Sequence, residues 1–70
     1  MDNILAAKVL MSHLPKIKDG AYKIATEIAI ETLFDNAMDD YRKLDTDLSP
    51  FQYLGLTLEE FEYWLLGLRR

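Results

Sequence analysis

Four carboxylates in this chain stand at a spacing that could do chemistry. Glu27, Glu31, Asp35 and Asp39 fall four residues apart in succession, so on a helix they form one acidic ridge, each member about 6 Å further along the axis. That separation is similar to the distance between successive phosphates on a nucleic-acid strand. A ridge of this kind could lie in the basic groove of another protein, such as its nucleic-acid channel. Like charges at i, i+4 repel by a few tenths of a kcal/mol, so helix stability does not explain the arrangement. The plainer explanation is a solvated face, which a long amphipathic helix needs.

The other candidates for chemistry fail on their partners. His13 is the single histidine and the chain has no cysteine, so neither a disulfide nor a zinc site can be assembled. Ser12 is its neighbour, and adjacent side chains on a helix point apart. A general base needs a geometric partner, whereas a histidine near a helix C-terminus is accounted for by the dipole. Asp45-x-Asp47-x-Ser49 opens like a calcium loop, but the sixth position is Pro50 instead of glycine and the twelfth is Leu56 instead of glutamate. We therefore expect no catalytic residue, no metal and no cofactor, and not an enzyme. Phe51, Tyr53, Phe61, Tyr63 and Trp64 concentrate aromatics in the last third. Most should be core, but Tyr63 and Trp64 are adjacent on a helix and cannot both face fully inward. This pair is the candidate aromatic anchor for a partner.

The elements that must position these residues are helices. Asp2 or Asn3 can cap a first helix running to about His13, with Ile4, Leu5, Val9 and Leu10 at helical spacing. Pro15 should end it by pushing Leu14 out of the helical region, and Lys16 to Gly20 reads as a turn with at most a short helical piece. A long second helix is expected from about Ala21 to Lys43. Its apolar pattern changes sides: Ala21, Ile24, Ala25, Ile28 and Ala29 share one face early, and Ile30, Leu33, Phe34, Ala37, Met38, Tyr41 and Leu44 share a nearly opposite face late. Such a helix would be sandwiched between the first helix and the C-terminal segment, or shared across a dimer. Ser49-Pro50 with Gln52 starts a short third helix closed by Gly55, and Thr57 with Glu60 forms a second capping box. The last helix, about Leu58 to Leu68, should place Leu58, Phe61, Leu65 and Leu68 on one face with Trp64 beside it.

Residues 53–65, Tyr-Leu-Gly-Leu-Thr-Leu-Glu-Glu-Phe-Glu-Tyr-Trp-Leu, resemble the helix-turn-helix of many bacterial regulators. The match lies in turn and packing positions: a short helix, a Leu-Gly-apolar-Thr turn, and a second helix with an aromatic and leucine near its end. Where DNA readers place Arg, Lys, Asn, Gln or Ser, this chain has Glu59, Glu60 and Glu62, which suits an interaction module better. The whole chain is also similar in style to small acidic helical proteins of phages and mobile elements, among them anti-CRISPR inhibitors of host nucleases. That is a likeness of size, charge and compactness.

Charge and size complete the expectation. The formal net charge is −4, unevenly spread. Residues 1–23 carry four lysines against two aspartates, +2; residues 24–48 carry seven acids against two bases, −5; residues 49–70 carry three acids against two arginines, −1. An acidic centre argues against nucleic acid as the direct partner. No apolar run reaches the roughly 20 residues of a membrane span, and the start, with Asp2 where a basic region belongs, does not read as a secretion signal. We expect one all-α domain over residues 1–70: a compact bundle of three to four helices with a long central helix and a helix-turn-helix-like C-terminal pair. Chains below about 70–80 residues commonly need a staple or a partner chain, so a cytoplasmic homo-oligomer is expected. In function we expect a phage or mobile-element inhibitor or regulator that binds a basic surface on a host nucleic-acid-handling protein. The alternatives are a DNA-binding transcriptional regulator using residues 50–66 and a structural oligomerisation domain.

Overall fold

A computed structural model describes residues 2–67. Helix α1 is Asn3–His13. It begins where Asp2 accepts the Ile4 N–H on its carboxylate at 2.9 Å, filling one of the donors that a helix start leaves open. Pro15 does not expel Leu14 from helical space: Leu14 keeps φ −50° and ψ −47°. The chain instead tightens into a 3-10 turn over Leu14–Lys16. Its closing bond, Ile17 N–H to the Leu14 carbonyl at 3.1 Å, makes no demand on the missing proline N–H, which is why the turn survives Pro15. The extended conformation of Ile17 ends it.

Helix α2, Gly20–Arg42, is 23 residues long, about 35 Å at the standard rise. Asp19 caps it by accepting the Tyr22 N–H at 2.9 Å. Its buried face is one continuous line, Thr26, Ile30, Phe34 and Ala37, flanked by half-buried Leu33, Met38 and Tyr41. The stripe therefore does not change sides. The early face read from Ile24 and Ile28 is 60% and 57% exposed, and the core face of the first half passes through Thr26 instead. That threonine is buried without an orphaned hydroxyl, because its Oγ1 donates to the Tyr22 carbonyl at 2.9 Å.

A connection over residues 43–49 is held by the Tyr41 hydroxyl donating to the Leu48 carbonyl. Tyr41 also meets Tyr53 with ring centroids 5.3 Å apart, a favourable tilted contact. Helix α3, Pro50–Leu54, follows Ser49, whose N–H donates to Gln52 Oε1 at 3.0 Å. It ends at Gly55, left-handed at φ 69°, where the Leu56 N–H reaches the Phe51 carbonyl at 2.9 Å and the Gly55 N–H the Gln52 carbonyl at 3.1 Å. Helix α4, Leu58–Phe61, opens on a complete reciprocal box: Thr57 N–H to Glu60 Oε1 at 3.0 Å and Glu60 N–H to Thr57 Oγ1 at 3.1 Å. It widens at once into a π-helical turn over Glu62–Leu66.

That widening corrects the expected last helix. Leu58, at the start of α4 and ahead of the π-turn, is 54% exposed; within the π-turn Trp64 is buried and Leu65 half-buried, as an i→i+5 turn moves side chains off the azimuths of a regular helix. Leu68, the remaining member of that expected face, lies outside the described residues.

Helix α1, α3 and the π-turn all pack on α2. Ala7, Ile30, Phe34, Ala37, Leu54, Leu56 and Trp64 form the core. Lys8 ties the first helix to the last third by donating to the Gly55 carbonyl at 3.0 Å. The fold is all-α, four α-helices among the described residues, with α2 as the member on which α1, α3 and the π-turn pack and α4 joined to it through the π-turn. Its Cα extents are 41 × 27 × 15 Å, which makes it a thin slab.

Candidate protein-binding surface

The acidic ridge is present on α2 and splits into two environments. Glu27 and Glu31 are half-buried, whereas Asp35 and Asp39 are exposed. Asp39 is paired with Arg42 one turn on; both side chains are largely in water, so this pair contributes little to stability. At the head of the ridge, Glu27 Oε2 accepts a hydrogen bond from the Tyr63 hydroxyl at 3.0 Å, across 36 residues of sequence. The first member of the ridge and one of the two candidate anchors thus belong to one place, which the sequence could not show.

That place is an open cleft of about 290 Å³ whose walls include Met11, Leu14, Lys23, Glu27, Tyr63 and Trp64. The two aromatics take different parts. Trp64 is a core residue, 6% exposed, that also lines the cleft. Tyr63 stands against it edge-on, with centroids 4.6 Å apart and planes at 79°, and carries its polar tip to Glu27. Both residues lie in the π-turn, Trp64 buried and Tyr63 half-buried. Lys23 adds a cation to the wall, so the site combines an apolar floor, a carboxylate, a phenol and an ammonium.

A second cleft of about 280 Å³ lies between α1 and the start of α2, lined by Leu10, His13, Lys16, Ile17, Tyr22 and Thr26. No carboxylate or thiol stands among these residues to orient or receive a proton from His13, so the lining itself makes no catalytic constellation. Among the described residues no group of three or more His, Cys, Asp or Glu side chains could hold a metal ion.

The outer side of α2 adds four residues that were expected on a covered face, Ala21, Ile24, Ala25 and Ile28, beside Thr32 and Asp35. All of these are exposed, so apolar and acidic positions adjoin on one side of one helix. On the C-terminal pair, Glu59 is exposed and Glu62 half-buried. Glu60 spends its carboxylate on its own helix cap. No described helix is long and apolar enough to cross a membrane. No family model, no curated protein and no solved structure matches this chain.

Proposed function

We infer that this chain acts by binding, without catalysis or cofactor, and that its partner is a protein with a basic surface. The observation that carries this reading is the continuity of the ridge with the cleft: four carboxylates lead from the Tyr63–Glu27 pair down α2 to Asp39, half-buried at Glu27 and Glu31 and exposed at Asp35 and Asp39. A basic partner gains charge-assisted hydrogen bonds along the ridge and an aromatic contact from Tyr63 at its head. Because the carboxylates repeat at a step similar to that of phosphates, the partner class is a nucleic-acid-handling protein. The chain would occupy its groove as an inhibitor or regulator, in the manner of anti-defence proteins of phages and mobile elements. The exposed Glu59 and the acidic middle of the chain disfavour the transcriptional-regulator reading, since phosphate approach is repelled.

The test changes Glu31 and Asp35 together to lysine. Immobilised wild-type chain should retain basic nucleic-acid-binding proteins from lysate, with single-stranded DNA competing them off. The double variant, shown folded by circular dichroism, should retain far less, with the larger loss at low salt where attraction is least screened. Unchanged capture by the folded variant defeats the ridge. A gel shift of duplex DNA by the wild type that is salt-sensitive and sequence-selective defeats the protein-partner reading in favour of a regulator.

A further inference from the structure

The first half of α2 carries an apolar face with no cover. At 100° per residue, Ile24 and Ile28 lie nearly opposite Thr26 and Ile30, and the structure agrees: the first pair is more than half exposed and the second pair buried. Ala21 and Ala25 flank them, also exposed, and two small residues beside two isoleucines let another helix approach closely.

We propose that a second copy of this chain covers this face, with the two α2 helices antiparallel about a two-fold axis at the level of Thr26. In that register Ile24 of one copy meets Ile28 of the other. Ala21 comes level with Glu31 of the other copy, and Lys18 comes within one residue of the level of Asp35. Charge selects this arrangement. The turn before α2 holds Lys16 and Lys18 against Asp19, a net +1, while the second half of α2 holds Glu31, Asp35, Asp39 and Asp40 against Arg42, a net −3, with Glu27 close to the axis. Antiparallel pairing lays the basic end of each copy along the acidic end of the other, twice over, and opposes the helix dipoles favourably. Parallel pairing would set acid on acid. The contact is confined to about four turns of helix, below the size of standard stable interfaces, so dissociation is expected on the order of ten to a hundred micromolar. The inference does not depend on the identity of the basic partner. It does place Asp35 at both surfaces, so self-pairing and partner binding would compete.

Sedimentation velocity from about ten micromolar to about one millimolar should show a monomer–dimer equilibrium that weakens with salt. Ile28→Lys should abolish the dimer while circular dichroism is unchanged, as expected for an exposed position. Lys18→Glu and Asp35→Lys should each weaken it by about tenfold, and the two together should restore it, since the pair is reversed and not removed. A monomer throughout the range overturns the proposal and leaves the face to another occupant. A dimer indifferent to Ile28→Lys places the contact elsewhere and overturns it too. A dimer lost in Ile28→Lys but not restored by the double reversal overturns the antiparallel register.

Discussion

The two sides of α2 are built from similar residues and do different work. One side buries Ile30 and Phe34 completely against α1, α3 and the π-turn; the other leaves Ile24 and Ile28 in water beside Asp35. Isoleucine occurs on both, so hydrophobicity of the residue does not say which side holds the fold together. What separates them is cover. α1, the 3-10 turn, α3 and the π-turn all pack on α2, yet Ile24 and Ile28 stay more than half exposed, and these apolar residues are available to an encounter.

The sharpest way to break this comparison is at Phe34, the largest fully buried side chain. Phe34→Ala should cost about 3–5 kcal/mol. A domain of this length has roughly 4–10 kcal/mol in all, so the variant should lose from about a third to all of its stability, and a urea titration followed by circular dichroism should find its midpoint far below that of the wild type. A wild-type-like midpoint would mean that the inner side is not the core.

A smaller effect is expected where the chain turns back on α2. Gly55→Ala forces a side chain into left-handed space at φ 69°, and its Cβ would lie 2.4 Å from Lys8 Nζ. The lysine tip can swing away at the cost of its bond to the Gly55 carbonyl. Strain and lost bond together should cost about 1–2 kcal/mol, and Lys8→Ala should remove part of the penalty in a double-mutant cycle.

The outer side should register least. Ile28→Ala, exposed and in a helix that favours alanine, should move stability by less than about 0.5 kcal/mol. The same change at Ile30 should cost several times more, about 2–5 kcal/mol. Comparable losses at the two isoleucines would erase the distinction between the sides.

Much of the fold was legible because the signals were local. Asp2, Ser49-Pro50 and Thr57 with Glu60 mark helix starts by chemistry that acts within three residues, and Gly55 marks a stop by its own backbone freedom. The sidedness of α2 was not legible, since the periodicity of Ile24 and Ile28 is as good as that of Ile30 and Phe34. A threonine that satisfies its own hydroxyl on the Tyr22 carbonyl reads as a polar interruption in the true stripe. The ridge was visible as spacing, but its meeting with Tyr63 depends on the last third lying alongside α2, and the roles of Tyr63 and Trp64 depend on a π-turn. The pattern around Phe61 gave no sign that the helix would widen there.

The slab form of the molecule has a thermal consequence. With only 15 Å through its thin direction, little of the chain lies far from solvent, and the enthalpy taken up on melting should not exceed the average for 70 residues, about 50 kcal/mol. Heat would therefore trace a low and broad endotherm. Each kcal/mol gained or lost would slide its midpoint by about 7 °C, and association of copies through α2 would make that midpoint climb with protein concentration.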